Sequence, residues 1–298
     1  MDKMIALYKR LLKLEKCTFA RIEHEDAIVA IVYKVTQQNG AQFILKICER
    51  PQDYIRELYF LKYFSTILPV AKIIDVVEPG AEIHSAILMH CFPGTILRAD
   101  ELTDQLAYEL GSLLAAIHLN RTTAYGDLIE PAALNLDPRI YFTFKFEEGL
   151  MECADHLPKA LLEQSRNYYD AHIDLLLSVD GPCIIHRDFR PGNIMVHNGM
   201  LQGIIDWASG RSGFAEDDFC PWELDEWSNN LTDKKTFLRG YASVRPLPDY
   251  EAIMPFLRLN RAIATIGFTV KRGTWDNSSS RLYQINRHFL ENFVKMLS

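Results

Sequence analysis

Three polar residues close together in the sequence, Asp188, Asn193 and Asp206, have the types and spacing that phosphoryl transfer requires. A protein that transfers a phosphoryl group must align a hydroxyl with a terminal phosphate and neutralise charge with Mg²⁺. Asp188 follows an apolar run, and its carboxylate can accept a hydrogen bond from an attacking hydroxyl. Asn193 offers a neutral oxygen to a hard cation, and Asp206 offers a carboxylate that bridges metal and phosphate. The three residues therefore predict a kinase-type site.

The elements that must position these residues can also be predicted. Asn198–Gly199 separates two apolar runs and is a type I′ hairpin signal. A strand over residues 194–197 should therefore pair antiparallel with a strand over 201–205, so that Asn193 and Asp206 flank the open end of one hairpin. Each residue alone would more often be a turn former or a helix cap, and it is their combination that favours catalysis.

Hydrophobic spacing predicts the remaining elements. The first third of the chain should contain a helix over residues 5–14, strands over 28–35 and 42–47, a helix over 54–64, and strands over 70–77 and 84–90. Phe92–Gly94 interrupts this pattern, and the rest of the chain is mainly helical. Helices are predicted over residues 101–119, 139–151, 158–178, 222–229, 233–242, 250–271 and 281–297. We interpret His186 as a structural support of the catalytic loop, and His118 as a packed histidine.

Composition limits the classes of protein to which the chain can belong. Its 298 residues are 48% hydrophobic and 24% charged, which is typical of a globular protein. A formal charge of −7 and the lack of a basic tract argue against a nucleic-acid partner. The six cysteines have no zinc-site spacing and are expected to be reduced thiols. No apolar run resembles a signal peptide or membrane span, so we expect a cytoplasmic protein without a membrane partner.

Given these motifs, the chain resembles the aminoglycoside phosphotransferase-like branch of the protein-kinase-like superfamily over nearly its whole length. The residues that carry the resemblance are Phe43-Ile-Leu-Lys-Ile47, Glu57, Leu110-Gly-Ser-Leu-Leu-Ala-Ala-Ile-His118, His186-Arg-Asp-Phe-Arg-Pro-Gly-Asn193, Ile205-Asp-Trp207 and Asp217-Asp-Phe219. The resemblance implies a bilobal α+β fold. An N-terminal lobe over residues 1–91 would hold an antiparallel sheet and one key helix. A larger, mainly helical lobe would cover residues 92–298, with a hinge at about 89–94.

The same resemblance implies how a nucleotide is bound. Lys46 would contact the α- and β-phosphates, and an ion pair with Glu57 would hold it in place. Backbone groups of the hinge would face the purine ring; these are the groups of Met89, His90, Cys91 and Phe92. Mg²⁺ is the expected cofactor, with ATP as the default donor and GTP as a possible one. The family's phosphate-covering turn normally contains glycine, whereas residues 21–27 contain none and carry three carboxylates.

The acceptor is less clearly indicated. By the resemblance, residues 216–227 border the acceptor cleft, where carboxylates would bind ammonium groups and indoles would stack on a sugar or alkylammonium. The candidate residues are Asp218, Trp222, Glu223, Asp225, Glu226 and Trp227. An acidic helix start with core tryptophans explains the segment equally well. Arg258 and Arg261, one turn apart on a helix, would pair with the acidic segment or receive an anionic acceptor.

The sequence thus predicts a kinase of a small molecule, with an aminoglycoside-type antibiotic as the leading acceptor and antibiotic resistance as the corresponding role. The alternative is a metabolic kinase of an amino alcohol or sugar, such as choline, homoserine or fructosamine. A protein-directed kinase is less favoured, because no long activation segment ending in Pro-Glu follows Asp206. A non-catalytic nucleotide-binding scaffold also stays open because of the glycine-free turn. Oligomeric state is not predicted.

Overall fold

The computed structural model describes residues 2–23, 30–80, 83–223, 227, 231–275 and 280–297. The chain is α+β, as predicted. Backbone packing divides it into two compact units. The first consists of residues 1–119, 186–211 and 230–246, and the second of residues 120–185, 212–229 and 247–298. The predicted lobe boundary near residues 89–94 stays a prediction.

The first unit contains a five-stranded antiparallel sheet in the order β1-β2-β3-β5-β4. Its strands are β1 (Thr18–Arg21), β2 (Ala30–Thr36), β3 (Gln42–Cys48), β4 (Ile73–Val77) and β5 (Ser85–His90). Helix α1 (Asp2–Leu11) contributes Tyr8 to a core that also contains Val35 and Leu45. Most of these elements were predicted, but β1 was not, because its four residues are mostly exposed and have no apolar alternation.

Helix α2 (Pro51–Phe64) follows β3 and begins with a proline, whose fixed φ suits the first helical turn. A small second sheet is built from β6 (Thr95–Ile96), β8 (Ile194–His197) and β9 (Met200–Ile204), in the order β6-β8-β9. Asn198 and Gly199 have φ values of 51° and 73°, which confirms the predicted turn with two positive φ angles. The predicted hairpin is therefore formed, and it places Asn193 and Asp206 near its open end.

Helices α3 (Asp104–His118) and α6 (Leu231–Ala242) complete the first unit. The two backbones approach closely, since a Cβ on Gly111 would lie 1.9 Å from the Phe237 carbonyl oxygen. His118 is fully buried and its Nδ1 lies 2.8 Å from the Tyr241 hydroxyl, as expected for a packed, hydrogen-bonded histidine.

The second unit is mainly helical. Its longer helices are α4 (Pro138–Cys153), α5 (Lys159–His172), α7 (Tyr250–Lys271) and α8 (Arg281–Leu297), and its short strands are β7 (Cys183–Ile185) and, shared with the first unit, β10 (Arg211–Gly213). Aromatic rings join three of the helices: Phe146 stacks on Tyr169 at 3.8 Å, and Tyr169 lies 5.0 Å from Phe256. The helix predicted over 158–178 becomes a 3₁₀ helix after residue 172. The helix predicted over 222–229 lies mostly outside the described residues.

Candidate active site

The catalytic loop brings Asp188 and Asn193 into direct contact. Nδ2 of Asn193 donates to Oδ2 of Asp188 and to the Asp188 backbone carbonyl, each at 2.8 Å. Asn193 is buried at the end of a short 3₁₀ turn that leads into β8. Because its amide nitrogen is used in this way, its amide oxygen is the atom left to face a cation. The loop therefore presents a carboxylate and a neutral oxygen from one rigid turn.

His186 connects this loop to the backbone just before Asp206, in the segment that follows β9. Its Nε2 lies 3.1 Å from the Ile205 carbonyl oxygen, and its Nδ1 lies 3.3 Å from the Asp188 amide nitrogen. A carbonyl accepts and an amide donates, so these partners assign a neutral ring with the proton on Nε2. The ring is fully buried, 4.5 Å from the Trp207 indole. One imidazole thus links the backbone of the proposed base to the backbone before the proposed metal ligand.

Lys46 lies on β3 between two carboxylates. Its Nζ is 2.8 Å from Glu57 Oε2 on α2 and 2.8 Å from Asp206 Oδ1. The Lys46 side chain is 11% exposed and that of Glu57 3%, whereas the Asp206 side chain is 48% exposed. The lysine is therefore fixed from the buried side, and Asp206 extends from the cluster toward solvent. The ion pair that the resemblance implied is present.

The charges of this cluster stabilise one another. Burial acts to lower the pKa of Lys46, but the carboxylates of Asp206 and Glu57 outweigh it and raise that pKa above its ordinary value. Partial desolvation alone would raise the pKa of Asp206, yet the Lys46 ammonium holds that pKa below the usual range. The pKa of Glu57 is raised by burial, against the opposing effect of Lys46. At neutral pH, Lys46 is a cation and Asp206 an anion.

Aromatic packing fixes the backbone around Asp206. The residue has φ 64° and ψ 66°, a left-handed conformation that is uncommon for aspartate. Trp207, fully buried, packs its indole 5.5 Å from the Phe60 ring and 4.8 Å from the Phe64 ring, both on α2. A Cβ on Gly210 would lie 2.6 Å from the Phe60 ring, so a glycine is required there. The helix that carries Glu57 is therefore packed directly against the loop that carries Asp206.

Asn193 and Asp206 have the chemistry to hold Mg²⁺. The ion takes oxygen ligands and is usually bound through one or two side chains, with substrate phosphates and water completing the shell. A buried amide whose nitrogen is occupied, and a carboxylate that reaches toward solvent, provide oxygens of that kind. Their role as metal ligands stays a prediction.

Several groups of the predicted hinge already have partners. Met89 pairs with Ile44 in the sheet, and the His90 amide donates to the Lys72 carbonyl at 2.9 Å. Cys91 Sγ lies 3.4 Å from the Phe92 carbonyl oxygen. The Phe92 ring covers Gly203, because a Cβ there would lie 2.3 Å from the ring. Binding of a purine by these four residues stays a prediction.

The two tryptophans of the proposed acceptor segment are not exposed for stacking on a ligand, as one interpretation of the sequence required. Trp222 and Trp227 are buried, 0% and 2% exposed, and their ring centroids lie 5.7 Å apart. This burial favours the core-tryptophan alternative over indoles that stack on a ligand. Asp218 is also buried and Glu223 is half-buried.

Other predicted sites lie partly or wholly beyond the described residues. Asp225 and Glu226 are among them, and so is most of the turn at 21–27, of which only residues 21–23 are described. Arg258 is described, and its guanidinium lies 4.5 Å from the Phe289 ring. A role of any of these residues in acceptor binding stays a prediction.

Apart from the contacts of Lys46, Asp188 and Asp206, the sequence itself assigns the chain to a family. The sequence profile of the phosphotransferase enzyme family, APH, matches residues 25–256. The chain belongs to this family. The matched range includes all five residues predicted to serve catalysis, the donor phosphates or the metal: Lys46, Glu57, Asp188, Asn193 and Asp206.

Curated relatives of this APH-family chain are homoserine kinases. The enzyme of Gluconobacter oxydans is 32% identical over 180 residues, which cover 55% of the chain and 53% of the relative. The enzyme of Agrobacterium fabrum is 31% identical over 202 residues, which cover 63% of the chain and 58% of the relative. The chain thus spans little more than half the length of the curated relatives it matches.

Solved structures share the fold of this APH-family chain at low sequence identity. Aminoglycoside phosphotransferase APH(4)-Ia superposes with a TM-score of 0.73 at 14% identity, over 100% of both chains. A thermostable mutant of that protein, in ternary complex with AMP-PNP and hygromycin B, has a TM-score of 0.71 at 13% identity, over 100% of this chain and 99% of that one. A putative fructosamine-3-kinase from Thermobifida fusca has a TM-score of 0.66 at 17% identity, over 93% of this chain and 98% of that one. These likenesses confirm the predicted kinase-like α+β fold.

Two residues of this APH-family chain were missed as parts of the site. Trp207 was noted as a motif residue, but its contacts with α2 depend on neighbours distant in sequence. Arg190 lies two residues after Asp188, and its Nε is 3.3 Å from Asp188 Oδ2. A cationic residue so close to the proposed base was the signal that could have identified it.

Among the described residues, no helix is long and apolar enough to span a membrane.

Proposed function

We propose that this chain transfers the γ-phosphate of a magnesium-bound nucleotide to a hydroxyl group of a small molecule. The observation that carries the proposal is one connected set of contacts. Asp188 is bonded to Asn193, His186 joins Asp188 to the backbone before Asp206, and Asp206 is paired with Lys46. Membership of the phosphotransferase family supports the same reaction.

Asp188 is the residue that acts on the acceptor. Its carboxylate accepts a hydrogen bond from the acceptor hydroxyl and directs the hydroxyl oxygen at the γ-phosphorus. The new P–O bond forms while the bond between the γ-phosphorus and the β-phosphate oxygen breaks. The hydroxyl proton passes to Asp188, and the nucleoside diphosphate leaves with the bonding electrons.

Lys46 and Glu57 serve the donor. A buried ammonium on a strand provides a fixed positive charge for the α- and β-phosphates, and Glu57 keeps it aimed. Asn193 and Asp206 would hold Mg²⁺, which when bound neutralises phosphate charge and orients the nucleotide. The packing of α2 on Trp207 helps to set the spacing between Glu57 and Asp206.

An amino alcohol of the homoserine type is the first candidate for the acceptor. The supporting observation is the 31–32% identity to homoserine kinases, since sequence similarity at this level carries more information about substrate than fold does. An aminoglycoside is the second candidate. It is supported by the fold alone, through structures at 13–14% identity, one of them in complex with hygromycin B.

The test is a mass-spectrometric screen with Mg²⁺ and either ATP or GTP against separate pools of amino alcohols, sugars, aminoglycosides and peptides. We expect a gain of one phosphoryl group on a single small-molecule class, with stoichiometric nucleoside diphosphate. Phosphate on a peptide would replace the small-molecule proposal with a protein kinase. No transfer from either nucleotide to any pool would contradict the proposed activity.

A further inference from the structure

Arg190 and Asn193 hold the same oxygen of Asp188. Nε of Arg190 lies 3.3 Å from Oδ2, and Nδ2 of Asn193 donates to Oδ2 at 2.8 Å. A carboxylate held through one oxygen by two donors cannot rotate about its Cβ–Cγ bond without losing both contacts. The orientation of the other oxygen, Oδ1, is therefore set by Arg190 as well as by Asn193.

The loop backbone is shaped to bring the guanidinium to this place. Arg190 is extended, with φ −150° and ψ 163°, as expected for a residue that precedes a proline. Its side chain turns back over Gly192: a Cβ built on Gly192 would lie 2.3 Å from Arg190 Nη1 and 3.1 Å from Cζ. The guanidinium thus occupies the space that any other residue at position 192 would fill.

The contribution of this ion pair to folding is small. The side chains of Arg190 and Asp188 are 30% and 28% exposed, and partly exposed pairs are weakened by solvent. Stability alone is therefore a poor explanation for a guanidinium placed against the proposed base. A planar fork of donors is, in contrast, well suited to fixing the orientation of a carboxylate.

We infer that Arg190 is a positioning residue for Asp188, an inference that rests on the proposed function. It holds the carboxylate in the orientation in which Oδ1 meets the acceptor hydroxyl. Without it, Asp188 Oδ2 loses one of the two donors described above, and fewer bound acceptors are aligned for attack. Turnover should fall, while nucleotide binding should not, because the contacts of Lys46 with Glu57 and Asp206 do not involve Arg190.

Two variants disturb the contact in different ways. Arg190→Gln removes the guanidinium, and Gly192→Ala keeps it but displaces it, because the new Cβ takes its space. The acceptor is L-homoserine or hygromycin B, whichever the wild-type protein phosphorylates. We expect each variant to lower kcat by about 10- to 100-fold, since small misplacements of reacting groups have effects of that size. The Kd for nucleotide should stay within about twofold of wild type, since its contacts are unchanged.

Three further variants separate positioning from a general effect on folding. The double variant should be no slower than Arg190→Gln, because both changes act on one contact and their effects are not additive. Arg190→Lys should recover part of the lost kcat, since it restores charge without the planar fork. Arg98→Gln is the matched control: that arginine is 70% exposed and pairs with exposed Asp100, so kcat should not change.

The outcomes distinguish this inference from the proposed function. If the wild-type protein phosphorylates an acceptor and either Arg190→Gln or Gly192→Ala retains wild-type kcat, the inference is overturned and the proposed function stands. It is also overturned if the two variants lose stability and activity in parallel and their effects add in the double variant. If the wild-type protein transfers no phosphate, the proposed function fails, and the positioning role fails with it.

Discussion

The Lys46 cluster and the segment around Trp222 differ in how their polar and aromatic groups are arranged. Lys46 binds two carboxylates at 2.8 Å each, and the indole of Trp207 fixes the loop beside them. In the other segment the two indoles are themselves buried and pack on each other. Phosphoryl transfer from a nucleotide needs charged groups fixed in one arrangement, whichever acceptor is used. Residues that recognise the acceptor differ from one kinase to another. We therefore expect mutations to affect chemistry at the first region and stability at the second.

Among variants of these two regions, the largest effect is expected from Asp206→Asn. The change removes the half-exposed carboxylate proposed as a metal ligand and weakens the pair with Lys46. Charge stabilisation through a bound cation is worth several kcal/mol, so kcat should fall on the order of 10³-fold. Steady-state kinetics over a range of Mg²⁺ concentrations provides the measurement. Wild-type kcat at ordinary Mg²⁺ would exclude Asp206 from the site.

Lys46→Met should lower kcat/KM on the order of 10²–10³-fold, the size observed when one fixed electrostatic partner is removed. It takes the cation away from nearly buried Glu57 and leaves a methionine of similar length. Nucleotide affinity, measured by calorimetry, should also weaken. Lys72→Met is the control, because Lys72 is exposed and immediately precedes β4. Equal effects of the two variants would show that Lys46 acts only through net charge.

His186→Leu should lower kcat by about 10- to 100-fold, as is usual for residues that orient a ligand or base without touching substrate. Leucine fills similar space but cannot bond the Ile205 carbonyl or the Asp188 amide. Nucleotide affinity should change much less than kcat, because Lys46 and Glu57 keep their contact. A variant with unaltered kcat would mean that packing on Trp207 alone positions the loop.

Trp222→Phe tests the second region. The indole is fully buried, so the smaller ring should cost roughly 1–3 kcal/mol of unfolding free energy. The acceptor KM should remain at its wild-type value, because a buried ring does not stack on a ligand. Urea denaturation and acceptor kinetics on the same preparation measure both quantities. A raised acceptor KM at unchanged stability would restore the stacking role considered from the sequence.

The smallest effect is expected from Glu147→Gln, which removes an ion pair on the surface of the second unit. Hydrogen bonds from Arg166 lower the pKa of Glu147 below its ordinary 4.5, so the pair stabilises the fold above that pH. Both side chains are about two-fifths exposed, which limits the contribution to less than about 1 kcal/mol. Urea denaturation should show a small deficit at pH 7 that disappears as pH falls below 4.5. A deficit that persists in acid would point to lost packing.

The sequence predicted the structure best at positions where the residue type favours one conformation or one contact. The Asn198–Gly199 turn was predictable because two consecutive positive φ angles favour these residues. The Lys46–Glu57 pair was implied by the family resemblance, and chemistry supports it because a lysine on a strand needs a partner to stay aimed. Arg190 was not recognised, because its contact with Asp188 depends on how its side chain folds back over Gly192. Tryptophans in the acceptor segment were ambiguous because burial and stacking favour the same residue.

The most direct test of the account uses Asp188→Asn, which keeps the shape of the side chain and removes its charge. Binding of Mg²⁺-nucleotide is measured by calorimetry, and acceptor phosphorylation by mass spectrometry, on the same preparation. We expect nucleotide affinity close to wild type and a loss of turnover of about 10²–10⁴-fold, the range for a missing general base. Full turnover in this variant would contradict the assignment of Asp188 and, with it, the proposed mechanism.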